Sequence, residues 1–250
     1  MIKRVIGKLK NIWQKLIQVI FEIDYQLKYR LHFIRYHWQK RTLERKGNNF
    51  YENLSFNFTK IEFDLKGKNN VIIIGKKVKG SLLLSIRGSN HEIKIDDEVV
   101  FYGNSLIDTQ SSHTKIHIGK QTSTLGSTFT CREPYTEILI GEGCLLAEET
   151  RFWCTDFHSV LDKTTGKRTN YAQKIVIADH VWIGYGVRVL KNTSIGQDSI
   201  IGTGSVVTRD IPENVVAMGI PATPVKKNIS WDKKLIPNIQ QMIASPLADG

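Results

Sequence analysis

The chain has little of what would mark a membrane-spanning protein, a disulfide scaffold or a metal site. Its 250 residues hold no apolar run near the roughly 18 residues that a helix needs to span a bilayer. The three cysteines, Cys131, Cys144 and Cys154, are odd in number and lack metal-ligand spacing, so a disulfide framework is not expected and a reducing cytoplasm is the default compartment. Acidic residues are scarce, and 35 Lys+Arg against 24 Asp+Glu leave a net charge of +11. The shortage is local: residues 1–47 carry twelve basic and three acidic residues, +9 in all, and the remaining 203 carry only +2. Such asymmetry reads as an appended basic arm rather than a basic fold. With 41% apolar and 24% charged residues the rest is ordinary globular chain, long enough to bury a core without staples.

Within the arm, apolar residues from Ile2 to Trp38 recur at helical spacing with basic residues and glutamines between them. Gln18 and Glu22 interrupt what would be the apolar centre of a signal peptide, and no small-residue cleavage site follows. Two readings remain open for residues 1–47. A basic amphipathic helix can lie in an anionic headgroup layer, with Trp13, Phe21 and Trp38 at the boundary. Alternatively it packs its apolar face on a neighbouring subunit or protein. No nucleic-acid-binding motif accompanies the charge, and none is expected as a partner.

Beyond the arm the dominant feature is a repeat. From Ile177 an aliphatic residue returns at every sixth position, at Ile183, Val189, Ile195, Ile201 and Val207. A small residue follows it at Ala178, Gly184, Gly196 and Gly202, and a small or β-branched residue sits four places on, at Val181, Val187, Thr193, Ser199 and Ser205. An in-phase set, Ile140, Leu146 and Phe152, precedes these hexads. Period six fits neither a helix nor a simple two-faced strand. It fits a short strand plus a corner, with the aliphatic inward and the small residue turning the chain. Three such sides close an eighteen-residue coil, and stacked coils form an all-β parallel solenoid. Weaker coils are keyed on Ile74, Ile95, Ile118 and Ile140, which lie 21 to 23 residues apart and imply extra corner residues.

Three motifs sharpen this pattern: Asp179-His180-Val181-Trp182-Ile183-Gly184, the run Ile201 to Pro212, and Met218-Gly219-Ile220-Pro221-Ala222. With the hexads they resemble the hexapeptide-repeat acyltransferases. Thr155-Asp156-Phe157-His158 with Gly166-Lys167-Arg168-Thr169-Asn170, and the closing Lys227-Asn228-Ile229-Ser230-Trp231, are similar to enzymes that O-acetylate bacterial surface polysaccharides, polysialic acid capsule among them. The resemblance implies a left-handed β-helix over residues 48–227, between the arm and a tail at 228–250 that opens with a short helical pattern, Leu235 to Ile243. It also implies acetyl-CoA as donor, a homotrimer with clefts between neighbours, and a polysaccharide acceptor. An enzyme of capsule synthesis would work in the cytoplasm, with the arm holding it on the inner face of the membrane.

The hexad register breaks between Phe157 and Ile175, and this excursion, 158–174, is where function is sought, since a loop gives up coil pairing while the scaffold supplies rigidity. Acetyl transfer to a sugar hydroxyl needs one positioned base, and histidine suits this at neutral pH. His158 is the candidate base and Asp156 a candidate to orient its ring. The resemblance places Trp182 beside the acceptor. It assigns backbone at Gly184, Tyr185, Gly202 and Thr203 to the thioester and pantetheine, and Thr208, Pro221, Ala222 and Lys226 to the rest of the coenzyme. Arg168 and Asn170 are acceptor-binding candidates. His180 is another, or else a stacking or structural residue. A metal is not expected: three converging histidines would be needed, and only His113 and His117 lie close together. The cysteines read as small core residues. A rival of a different class is a catalytically inactive solenoid used as a binding scaffold, and a further alternative is an acetyltransferase whose acceptor is a small sugar or nucleotide-sugar.

Overall fold

The computed structural model describes residues 36–45, 47–55 and 60–236. The period-six stretch winds as a parallel left-handed β-helix. Its first face is a sheet of seven strands: Phe50–Asn53, Val71–Ile74, Glu92–Ile95, Lys115–Ile118, Glu137–Ile140, Lys174–Ile177 and Thr193–Ile195. The second face stacks Ser123–Thr124, Leu145–Leu146, Trp182–Ile183, Ile200–Ile201 and Val215–Gly219, and the antiparallel strand Ala222–Lys227 closes its end. The third stacks Lys60–Lys66, Lys79–Arg87, Val100–Thr109, Thr128–Cys131, Arg151–Cys154, Arg188–Leu190 and Val206–Val207. Faces two and three merge into one thirteen-stranded sheet because Val100–Thr109 runs through the corner between them. Its Val100 and Phe101 pair with Ser123 and Thr124, and its Leu106 to Thr109 pair with Thr128 to Cys131. The extra residues expected in the early coils are therefore spent partly on longer strands.

The keyed aliphatics Ile177, Ile183, Val189, Ile195, Ile201 and Val207 are buried, and so are Val181, Val187, Thr193, Ser199 and Ser205. Each hexad thus points two side chains into the prism, separated by one outward residue, as strand alternation requires. One detail of the sequence reading is corrected. The small residue after the aliphatic does not turn the chain. The turn is made two positions later, at His180, Gly186, Asn192, Asp198 and Gly204, all at φ between 54° and 71°. The small residue answers to the coil above it: a Cβ at Gly184 would lie 2.7 Å from the Ile201 carbonyl oxygen. Coil stacking, rather than bending, sets that position.

The corner between faces three and one carries its own repeat, at Asn48, Asn69, Asn90, His113, Tyr135 and Asn192, with φ from 53° to 61°. Asparagine visits this left-handed region at low cost, and the amides chain outward, Asn48 Nδ2 donating to Asn69 Oδ1 at 3.2 Å and Asn69 Nδ2 to Asn90 Oδ1 at 3.4 Å. The following residue faces inward. Asn49 Oδ1 accepts the Asn70 N–H, and Asn70 Oδ1 accepts the His91 N–H, each at 2.9 Å.

Residues 36–45 are helical and pack on the open end of the first coils. Leu43 is buried, and Tyr36 meets Tyr51, whose ring in turn lies edge-on to Phe63 at 5.1 Å. This stretch of the arm covers core that would otherwise face water, the role terminal caps play in solenoids. Trp38 stays 68% exposed. The rest of the arm, with Trp13 and Phe21, lies outside the described residues. At the other terminus Leu235 and Ile236 are exposed and not helical, and the remainder of that pattern lies outside the described residues as well.

Buried His91 couples this architecture to pH. Its Nε2 faces the Arg87 carbonyl at 3.2 Å, so Nε2 carries the proton and Nδ1 accepts from Thr114 Oγ1 at 2.8 Å. Burial pushes its pKa below the usual histidine value, outweighing the carbonyl that favours the charged ring. The unfolded chain takes up a proton below about pH 6.5 that the folded chain resists, so stability is full above that pH and falls as the solution is acidified. Denaturant midpoints from pH 7.5 to 5 should drop for the wild type and drop less for His91→Asn, which continues the Asn49–Asn70 ladder without a titrating group. Equal slopes would assign the acid loss elsewhere.

Candidate active site

The chain leaves the third face at Cys154 and rejoins the first at Lys174. Phe157, at φ 62°, turns it outward. The tip is a tight turn in which Asp162 Oδ1 accepts the N–H groups of Thr164 and Thr165, with Gly166 at φ 68°. A loop so far from the ladder needs other anchors. Asn170 supplies four: its Oδ1 accepts from Val160 N–H at 2.8 Å and Arg168 Nε at 3.0 Å, and its Nδ2 donates to Asp156 Oδ2 and the His158 carbonyl, each at 2.8 Å. That uses every hydrogen-bonding site of a carboxamide. Two ion pairs tie this node to the prism. Lys191, only 15% exposed, places Nζ 2.6 Å from Asp156 Oδ2, and Arg168 reaches Glu133 at 2.7 Å while lying over the Tyr171 ring. Partial burial would raise the Asp156 pKa, but the bonds from Lys191 and Asn170 outweigh it and hold the carboxyl below the usual range.

His158 stands apart from this network. Its main-chain N–H donates to the Asp156 carbonyl at 2.7 Å, yet its exposed imidazole makes no hydrogen bond among the described residues. The ring borders a cleft of about 450 Å³ shared with Gln110, Arg132, Glu133, Phe157 and Arg168. Both arginines there are already paired, Arg132 with Asp108 at 2.7 Å and Arg168 with Glu133.

The other expected residues lie on different edges. Trp182 points out from the second face, 39% exposed. At the corner before it, the His180 ring stacks on Trp231 at 4.2 Å, its Nδ1 sits 2.6 Å from Asp198 Oδ1, and its carbonyl accepts the Trp231 indole N–H. Tyr185 and Thr203 occupy the corner between faces two and three on adjacent coils, linked as Gly204 N–H donates to the Tyr185 carbonyl at 2.8 Å. Among the described residues the main-chain N–H groups of Tyr185 and Thr203 donate to no backbone carbonyl, as befits the outermost position of each corner. The Pro221-Ala222 turn reaches the same edge, Gly219 N–H donating to Ser205 Oγ at 3.0 Å, and Thr208 and Lys226 are exposed.

Three comparisons with known proteins agree with this architecture. The family described as bacterial transferase hexapeptide (six repeats) matches residues 174–209. A polysialic acid O-acetyltransferase of Neisseria meningitidis is 32% identical over 171 residues, covering 68% of this chain and 78% of that protein. The crystal structure of a polysialic acid O-acetyltransferase superposes with a TM-score of 0.64 at 26% identity, covering 74% of this chain and 93% of the other. The chain belongs to the hexapeptide-repeat acyltransferases. Its match to a second polysialic acid O-acetyltransferase, from Escherichia coli O1:K1, is 35% identical over 118 residues but spans 47% of this chain and only 38% of that relative.

The geometry adds contacts that the sequence did not display. Asp156 was expected to orient the His158 ring, but the turn at Phe157 sends its carboxylate to Lys191 and Asn170 instead. Asn170 and Arg168, the acceptor-binding candidates, also hold the loop to the prism, and Arg168 lines the cleft. For His180, open between acceptor binding, stacking and structure, the geometry shows a stacked ring. Lys191 and Glu133, which anchor the loop, went unnoticed in the sequence. Both lie far from it along the chain, and only their burial as charged residues marks them. The cysteines are core residues as read: all three are buried, and burial pushes the Cys144 thiol up to about 11.

The anchoring is testable without any substrate. Asn170→Ala removes four bonds of about 1 kcal/mol each, so backbone amides of residues 158–170 should exchange with deuterium at least tenfold faster while the face-one strands keep their protection. Lys191→Met should do the same to a smaller degree. Unchanged exchange in the loop would mean that the node does not hold it.

Proposed function

We propose that this chain transfers an acetyl group from acetyl-CoA to a hydroxyl of a bacterial surface polysaccharide, with His158 as general base. The observation that carries the reading is an imidazole with no hydrogen-bond partner among the described residues, bordering a cleft in a loop that Asn170, Arg168 and the Lys191–Asp156 pair anchor to the prism. A base must have a free nitrogen and a fixed position; the His158 ring supplies the first, and the Asn170 bond to the His158 carbonyl anchors the main chain that carries it. The acceptor hydroxyl gives its proton to the ring as its oxygen attacks the thioester carbonyl. The tetrahedral intermediate collapses to the acetyl ester, and the departing thiolate regains the proton from the ring. No acyl-enzyme forms, and the buried cysteines take no part.

Negative charge that develops on the thioester oxygen needs donors already in place. The unspent N–H groups of Tyr185 and Thr203, with Gly184 and Gly202 keeping that edge low, suit the carbonyl and the pantetheine arm. Thr208, the Pro221-Ala222 turn and Lys226 suit the nucleotide end, where phosphates call for donors and positive charge. Within one chain this edge and His158 flank opposite sides of the third face. The reading therefore requires a second copy, as in a homotrimer with His158 of one subunit opposite the Tyr185–Thr203 edge of the next. Trp182 would then wall the cleft. The names of the polysialic acid O-acetyltransferase relatives support an acidic glycan. Arg132 and Arg168 line the cleft with their charges partly offset by Asp108 and Glu133. No helix among the described residues is long and apolar enough to cross a membrane, and the basic charge of residues 1–47 supports peripheral attachment to the inner leaflet from the cytoplasm.

The test is release of free CoA thiol from acetyl-CoA in the presence of sialic acid oligomers and neutral capsular glycans. His158→Ala should lower kcat by about 10²–10⁴ with a small change in the KM for acetyl-CoA. A variant that kept the full rate on the best acceptor would overturn the base assignment.

A further inference from the structure

The corner between faces three and one carries a left-handed residue in six coils, and four of them supply the cheap solution. Asn48, Asn69, Asn90 and Asn192 stand there, but the two coils directly below the excursion carry His113 at φ 55° and Tyr135 at φ 60°. A bulky side chain in this region costs of order 1 kcal/mol and persists where the surroundings or a function require it. Apart from each other, the two rings have no bonded neighbour among the described residues. Both rings point to solvent, with Tyr135 72% exposed, and neither ring's polar atoms make a hydrogen bond among the described residues. The rings stack on each other, centroids 4.9 Å apart and planes within 17°, so each covers one face of the other and the pair offers its outer faces and polar rims along the edge. Glu133 and Pro134, which precede Tyr135, line the cleft that His158 borders, as does Gln110 three residues before His113. The stacked pair is thus a continuation of the cleft toward the N-terminal coils.

We infer that His113 and Tyr135 form a stacking platform for the part of a polysaccharide acceptor that extends beyond the acetylated sugar. A sugar ring presents a face of C–H groups to an aromatic surface and hydroxyls at its rim. Exposed Tyr and His rings with unspent O–H and N–H groups match both. A chain crossing the cleft would leave it over these rings. The inference deepens the reading of the acceptor as a polymer and rests on it.

Tyr135→Asn is the informative variant, because it installs the residue that the ladder favours and leaves the coil unstrained. With sialic acid oligomers of about two to eight units as acceptors, the wild-type KM should fall as the chain lengthens. Tyr135→Asn and His113→Asn should abolish that fall, raising KM for the longest oligomer about fivefold to tenfold at unchanged kcat and unchanged KM for acetyl-CoA. Tyr135→Phe should retain most of it. Saturation-transfer NMR on the full chain with the longest oligomer and no acetyl-CoA should show contact with the Tyr135 ring, independently of turnover. A length dependence that survives Tyr135→Asn, a wild type indifferent to length, or no saturation transfer would each overturn the platform. So would a changed oligomeric state in Tyr135→Asn, which would make the rings a contact between copies. Activity retained by His158→Ala would instead strike the functional reading, whatever the platform does.

Discussion

Every feature of this protein answers to the parallel stacking of one coil on the next, in which main-chain groups of adjacent turns pair in register along all three faces. The pairing allows each face only a few residues before the chain must turn, and it requires the turn to repeat at the same height in each coil. A left-handed residue at most corners meets that need, which is why glycine and asparagine recur there. The small residue two positions earlier is dictated by the carbonyl of the coil above. Side chains pointing inward then have no choice but to form a continuous aliphatic column, with Asn49, Asn70 and His91 threading a polar seam up one inner corner.

The excursion is costly in such a structure because it breaks the pairing that everything else shares. Its compensation is electrostatic and local. Asn170 satisfies four partners, Lys191 and Asp156 neutralise one another beside it, and Glu133 holds Arg168 from the coil below. The Arg168 charge, which looks like a binding surface when read along the chain, is engaged in holding the loop. The His158 imidazole on one edge and the outward N–H groups of Tyr185 and Thr203 on another take no part in this anchoring.

The solenoid was legible because its period is carried by residues adjacent in sequence, Ile177 to Val207, without a slip. The earlier coils were harder to see. Their marker is the corner pair, Asn48-Asn49, Asn69-Asn70, Asn90-His91, His113-Thr114 and Tyr135-Thr136, and its members change identity while keeping a shared backbone conformation that sequence does not display. His158 was legible as a lone histidine in a break of register. The partners of Asp156 were not, because a two-residue separation gives no direction for a side chain on a turn. Lys191 sits at an outward hexad position and reads as solvated charge until the loop is laid over it. The capping role of residues 36–45 was hidden by the net charge of the arm to which they belong.

The separation of the free imidazole from the free donor edge is the feature on which the proposed chemistry turns, since neither edge suffices alone. Mixing and reassembling His158→Ala chains with Thr203→Trp chains, whose bulky side chain would obstruct the donor edge, addresses it directly through the rate of thiol release from acetyl-CoA. Each variant should be inactive by itself. The mixture should recover a substantial fraction of the wild-type rate, because hybrid assemblies set an intact histidine against an intact edge. A mixture as inactive as its parents, in assemblies shown to contain both chains, would contradict a site divided between copies.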